Sequence, residues 1–301
     1  MRQGIVECVP NFSEGRNPEV IDRIVQSISD AGCKVLDVSS DQSHNRSVVT
    51  FAGFPEKVEE AAFRATSVAA DLIDMEKHKG EHPRIGATDV IPFVPIRDIT
   101  IEECVCMAER VGKRIGEELG IPVYLYAKAA KSEDRIKLPN MRKGEYEGLK
   151  EAIQADPSRK PDFGPDHLHP RAGATAVGAR PPLLAYNVNL NTGNVKVARA
   201  IAKAIRESSG GLPSVQAKGI LIEETGLAQV TMNLLDYKTT SIDRVLRQIE
   251  EEAAARGTSI RDSEIIGLVP LDAILDVAIS RMKADSFSRR QILDLIDFDR
   301  E

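Results

Sequence analysis

Two histidines four residues apart, His78 and His82, share the segment Lys77-His-Lys-Gly-Glu-His-Pro-Arg84 with one carboxylate and three cations. Histidine is the side chain whose ordinary pKa lies nearest neutrality, so it can both take and return a proton there. Lys77, Lys79 and Arg84 favour neutral imidazole and attract anions. The segment therefore predicts an acid–base site for an anionic substrate, with His82 as the catalytic candidate and His78 as a positioning residue. A histidine satisfied by structural hydrogen bonds is the competing reading of His82. The same residues also fit His-x-x-Glu-His, a spacing with which a helix sets two histidines around zinc. Gly80 weakens such a helix, Pro83 pushes His82 out of the α region, and three cations oppose a dication. No metal is expected.

Other candidates are weaker. Asp162-Phe-Gly-Pro165 and Ala172-Gly-Ala-Thr-Ala-Val-Gly-Ala179 offer glycine-rich backbone for close ligand approach. They match neither phosphate-binding glycine pattern, so nucleotide binding is unsupported and a plain crossing loop is the alternative. His167 and His169, on either side of Leu168, read as surface residues, and no serine lies in a nucleophile elbow. In Tyr186-Asn-Val-Asn-Leu-Asn191, asparagines 187, 189 and 191 fall on one strand face. Gln229, Thr231 and Asn233 repeat the pattern on another strand. Such a face is either solvated or one wall of a polar cleft, where uncharged donors and acceptors suit a heterocycle with amide edges.

The elements that must position these residues are well signalled in the first half. Ile5 to Val9 reads as a strand, and Asn17-Pro18 opens a helix that Gly32 stops. Strands Lys34–Val38 and Ser47–Phe51 flank a polar loop, Ser39 to Arg46. A helix from about Pro55 to Asp74 leads into the histidine segment. Val90–Ile96 is a strand, Thr100-Ile-Glu-Glu103 a capping box, and Ile121–Tyr126 a further strand. Residues 127–182, rich in charge, Pro and Gly, read as a linker or a long functional loop. Strands are then expected at Leu183–Leu190, Val215–Ile222, Ala228–Asp236 and Ile265–Pro270. The helices of this half are Val195–Glu207, Ile242–Ala255, Asp272–Met282 and Arg289–Ile296.

The second half thus follows the β-α-β-β-α-β order of ferredoxin-like folds, and the first half begins the same way and adds an α-β unit. The expected class is α/β (α+β): two α/β subdomains, 1–179 and 180–301, each a mixed sheet covered by helices. The chain of 301 residues, 42% apolar and 29% charged, has the composition of an ordinary globule. A formal charge of −6 argues against nucleic acid as a partner, and no window is apolar enough to span a membrane. No signal-peptide core is visible. The four cysteines, Cys8, Cys33, Cys104 and Cys106, read as reduced structural thiols. A cytoplasmic location follows.

Several long, colinear motifs carry a resemblance. They are Val6-Glu-Cys-Val-Pro-Asn-Phe-Ser-Glu-Gly15, His44-Asn-Arg46, Leu72-Ile-Asp-Met75 with His78 to Arg84, and Lys143-Gly-Glu-Tyr-Glu147. Pro161-Asp-Phe-Gly-Pro165, Gly178-Ala-Arg180 and Asn233-Leu-Leu-Asp-Tyr237 complete the set. The chain resembles the glutamate formiminotransferase family over nearly its full length, the part that in animals is fused to a cyclodeaminase. That resemblance implies two subdomains whose sheets face each other across a folate-binding tunnel, and a homodimer. It implies transfer of a formimino group between 5-formimino-tetrahydrofolate and glutamate in histidine degradation, with tetrahydrofolate as co-substrate and no metal. It places the general base at His82. The folate loop falls at Gly164, Pro165, Asp166, His167, Leu168, His169, Pro170, Arg171, Ala172 and Gly173. Asn187, Asn189, Thr231 and Asn233 are the folate contacts expected on the second sheet. Where some members carry an acid just after Leu-Asp-Val, this chain has Ser39, leaving Asp37 or Asp41 to orient the histidine.

On this reading His82 takes a proton from the glutamate ammonium, the amine attacks the formimino carbon, and the imidazolium returns the proton to N5. A group titrating near neutrality suits both halves of that cycle. Arg46, Lys77, Lys79, Arg84 and Arg180 are the candidates for the substrate carboxylates. The alternatives are glycine as acceptor or a formyl donor on the same scaffold. More remote are a metallohydrolase and a non-catalytic folate-binding protein.

Overall fold

Helix signals and strand alternation translate directly into the first layer of structure. The computed structural model describes residues 4–293 and divides into two units between Pro181 and Pro182. In the first unit, β1 (Ile5–Cys8) and β2 (Asn11–Phe12) run end to end in one lane between β4 (Arg46–Gly53) and β5 (Thr88–Arg97). Alternation sends Val6, Cys8 and Phe12 into the core and leaves Glu7 and Asn11 on the other face. Helix α1 (Pro18–Asp30) starts where the Asn17 side chain accepts the Glu19 backbone N–H, and it buries Ile21, Ile24 and Ile28. Helices α2 (Pro55–Leu72) and α3 (Ile101–Glu118) join it, the latter opened by the Thr100–Glu103 capping box.

The outer strand β3 (Lys34–Asp41) pairs antiparallel with β4 as far as Asp41↔Arg46. The polar loop expected over 39–46 is therefore only a four-residue turn, because Ser39, Ser40 and Asp41 tolerate an exposed sheet edge.

Residues 127–182 differ most from expectation. They contain α4 (Leu138–Met141), α5 (Glu145–Ala155) and strand β7 (Thr175–Ala179). Strand β7 lies between β5 and β6 (Val123–Ala127), parallel to both and buried throughout. A strand buried on both faces shows no alternation, so its small residues read as loop. Gly178 has a packing reason: a Cβ there would lie 2.4 Å from the Tyr126 carbonyl oxygen. Strand β6 itself begins at Val123, after Pro122.

The second unit runs β8 (Leu184–Leu190), α6 (Val195–Ile205), β9 (Val215–Ile222), β10 (Leu227–Leu234), α7 (Ile242–Ala254), β11 (Ile260–Ile266) and α8 (Leu271–Met282). Its sheet has the spatial order β11-β8-β10-β9, antiparallel throughout. In the first unit β5-β1-β4-β3 has the same order, 4-1-3-2, also antiparallel. Strand β11 lies several residues before the expected Ile265–Pro270. Its residues Arg261 to Glu264 are polar and exposed, so pairing with β8 rather than an apolar run makes them a strand. In place of the helix expected at Arg289–Ile296 there is a short 3-10 turn at Arg289–Gln291, and the rest of that stretch lies outside the described residues.

All four cysteines are free, and Cys106 alone among them is exposed. Among the described residues no helix is long and apolar enough to cross a membrane.

Candidate active site

The β3–β4 turn builds the seat for the histidine segment. Asn45 adopts a left-handed backbone, φ +48°, and its side chain accepts from the Gly15 N–H at 3.0 Å while donating to the Lys79 carbonyl at 3.0 Å. The His78 ring donates through Nε2 to the Asn45 carbonyl at 3.0 Å, and its Nδ1 accepts from Arg84 Nε at 3.2 Å. Both His78 nitrogens are thus occupied by protein, and burial lowers its pKa. Gly80 presses on the turn: a Cβ there would stand 2.3 Å from the His44 carbonyl oxygen. Residues 75–84 are a turn followed by irregular backbone rather than a helix, so the zinc-peptidase geometry is not formed.

His82 is 9% exposed. Desolvation, then the charges of Arg142 and Arg46, then His44 and His78, push its pKa down to about 3. The sequence expectation of a group titrating near neutrality is corrected here. The imidazole is held neutral, a base without a proton, by its burial first and then by the charges of Arg142 and Arg46 rather than those of the lysines beside it in sequence.

The cations sort into four groups. Arg84 is captured: its Nη1 and Nη2 donate to Glu145 and Glu147 at 2.6 to 2.8 Å, which raises its pKa and leaves it a structural clamp. Lys77 pairs with Asp74 at 3.0 Å and is 84% exposed, while exposed Lys79 contributes its backbone carbonyl to the seat. The charges of Arg46 and Arg142 both act on His82. Arg46 reaches Asn11 at 3.4 Å, and burial and Arg142 depress its pKa. Arg142 is anchored on the buried carboxylate of Asp89. Arg180 caps β7, donates to the Pro181 carbonyl at 3.1 Å, and lies beside the Tyr126 hydroxyl and Glu7, whose own pKa is raised by burial.

Of the two proposed orienting acids, Asp41 accepts from His44, at 2.8 Å from both the ring Nδ1 and the backbone N–H. Among the described residues neither Asp41 nor Asp37 hydrogen-bonds His82.

Comparison with known proteins settles the ancestry of this arrangement. Residues 5–180 match the formiminotransferase domain, N-terminal subdomain, and residues 185–293 match the formiminotransferase domain. The chain belongs to the formiminotransferase family. It is 48% identical to the glutamate formimidoyltransferase of Streptococcus pyogenes over 96% of its own length and 97% of that protein's. The glutamate formimidoyltransferase of Thermoplasma acidophilum is also 48% identical, over 96% of each chain. Identity to the formimidoyltransferase-cyclodeaminase of Dictyostelium discoideum is 46%, over 97% of this chain and 54% of that longer protein.

Within this formiminotransferase chain the loop from Gly164 to Gly173 is well tied down. Asp162 accepts from the Leu125 N–H and from Arg135, both at 2.7 Å. A Cβ on Gly164 would lie 2.7 Å from the Ile121 carbonyl oxygen. His169 is not simply a surface residue, since its Nδ1 accepts from the Ala172 N–H at 2.9 Å and fixes the loop. The Arg171 carbonyl accepts from Met75, and Gly173 bridges to Gly86, which seats the loop on the histidine segment. His167, Leu168, His169 and Pro170 line an open cleft of about 350 Å³ with Tyr146 and Lys150.

In the second unit, Asn187, Asn189, Thr231 and Asn233 share the face opposite Leu184, Tyr186 and Val188, with Thr231 paired to Asn187 and Gln229 to Asn189. The face is not purely uncharged. Asn187 donates to Glu264 at 3.0 Å and Asn189 to Asp262 at 2.6 Å.

Arg142 is the residue that sequence reasoning missed. It lies next to the Lys143-Gly-Glu-Tyr-Glu147 motif, and the signal that points to it is a buried acid, Asp89, in need of a partner.

Proposed function

We propose that this chain transfers the formimino group of 5-formimino-tetrahydrofolate to L-glutamate, giving N-formimino-L-glutamate and tetrahydrofolate. The observation that carries this reading is the buried, neutral His82 under the charges of Arg142 and Arg46, in a chain nearly half identical to glutamate formimidoyltransferases along nearly their whole length. Arg46 and Arg142 receive the carboxylates of glutamate. Carboxylates placed there offset the two positive charges, so His82 becomes a stronger base when its substrate arrives. His82 then takes the proton that blocks the glutamate nitrogen, and the freed amine attacks the formimino carbon. Holding donor and acceptor together adds to the rate by proximity.

The folate is held by the loop from Gly164 to Gly173. Asn187, Asn189, Thr231 and Asn233 carry amide and hydroxyl groups of the kind that pair with pterin edges. The reading includes a cytoplasmic homodimer, in the context of histidine breakdown. Turnover of 5-formimino-tetrahydrofolate, with glutamate and glycine offered separately, is the test. Glutamate-dependent loss of the donor is expected. Loss with glycine alone overturns the acceptor, and loss with neither overturns the transferase.

A further inference from the structure

We infer that His44, held by Asp41, is a second acid–base group of this site and delivers the proton that N5 of the folate needs when it leaves. The inference rests on the proposed transferase reading and assigns a residue that reading does not use.

The geometry starts in the β3–β4 turn. Asp41 accepts the His44 backbone N–H through Oδ1 and the ring Nδ1 through Oδ2, each at 2.8 Å. Fixing Nδ1 leaves Nε2 pointing away from Asp41, with no hydrogen bond to it among the described residues. The turn is also clamped to the His82 segment. The Glu81 N–H donates to the Ser43 carbonyl at 3.3 Å, and Gly80 sits against the His44 carbonyl. The ring is half exposed, so a substrate and solvent protons both reach it. His44 is one of the groups whose charge bears on His82. Other ionisable groups around it are Glu81 and His78 on the facing segment, Arg16, which donates to the Gln42 carbonyl, and Arg46 on its own hairpin.

Proton counting asks for such a group. The glutamate nitrogen is –NH3+ before reaction and –NH– in the product, so it loses two protons, and N5 gains one. His82 takes the first and passes it to water, and the amine lone pair forms the new C–N bond. As the C–N5 bond breaks, its electron pair returns to N5, which takes the Nε2 proton of imidazolium His44. Neutral His44 then recovers a proton from the newly bonded nitrogen. The charge on the formimino nitrogen is unchanged, and one proton goes to solvent overall. A division of labour suits the two environments: the buried, neutral His82 serves as base, and half-exposed His44, its Nδ1 fixed by Asp41, presents Nε2 as the acid.

The test uses the full chain and its His44→Gln and Asp41→Asn variants, with kcat, KM and their pH profiles measured for transfer to glutamate. His44→Gln is expected to lose about 10²–10⁴-fold in kcat with little change in KM for the folate, the usual worth of a general acid. Asp41→Asn, which removes the carboxylate that fixes the ring Nδ1, is expected to keep the fold and to lose kcat, by less than His44→Gln does, with little change in KM for the folate. A wild-type chain that turns over while His44→Gln stays within threefold of it, with the same profile, overturns the role of His44. An Asp41→Asn kcat equal to that of the wild type overturns the role of Asp41. A wild-type chain with no transfer overturns the proposed function, and the His44 assignment falls with it.

Discussion

Arg142 donates through both Nε and Nη2 to a single carboxylate oxygen of Asp89, with Nε at 2.9 Å, while the other oxygen accepts the Ile85 N–H at 2.9 Å. Asp89 is 1% exposed at the head of β5. One buried carboxylate therefore joins the end of the histidine segment to the arginine whose charge, after burial, weighs most on His82. The pair holds Arg142 in place.

Replacing Arg142 by Gln leaves Asp89 buried without its counter-charge. The expected cost is about 3–5 kcal/mol, the usual penalty for stripping one partner from a buried pair. Urea unfolding at neutral pH measures it, and a change under 1 kcal/mol contradicts the buried pairing. In protein that stays folded, KM for glutamate is expected to rise more than KM for the folate.

His82→Ala removes the base without touching the loop from Gly164 to Gly173. Tetrahydrofolate binding, followed by calorimetry, should be within a few-fold of wild type. Turnover should fall by about 10²–10⁴-fold. Near-normal turnover would sink the assignment of His82.

The pKa of His82, about 3 in the fold against an ordinary value near 6.5, has a consequence for stability. Between those values the unfolded chain binds a proton there and the folded chain does not. Its neutral burial thus costs nothing above about pH 6.5, and stability is lost as pH falls toward about 3, by at most about 1.4 kcal/mol per pH unit. His82→Asn should flatten the acid side of the stability curve between pH 6 and 4. A wild-type curve parallel to the variant's would show that His82 titrates normally.

Gly80→Ala places a methyl against the His44 carbonyl and the Asn45 side chain, where a Cβ would lie 2.3 and 2.8 Å away. The histidine segment must lift off the turn, at a cost of about 1–3 kcal/mol for overpacking. Turnover is expected to fall further than that stability change explains, because the segment carries His82. Intact kcat with a lowered melting temperature would show that the seat does not position the histidine.

Local signals placed most elements and the catalytic candidate. The Asn17 cap, the Thr100 capping box and the alternation in β8 and β10 each act within a few residues, so the chain states them in its own order. The non-helical histidine segment was legible for the same reason: Gly80, Pro83 and the nearby charges mark it. Only the tertiary structure decided which charges matter to His82. Lys77 and Arg84 are close to it in sequence yet taken up by Asp74, Glu145 and Glu147, whereas Arg142, sixty residues away, is the charge that adds most to the effect of burial. Strand β7 was hidden likewise, since small residues buried on both faces carry no period, and its place depends on β5 and β6 lying on either side. Caps and alternation are local physics and can be read along a chain. Charge partners and central parallel strands are fixed by contacts between distant segments, which exist only once the chain has folded.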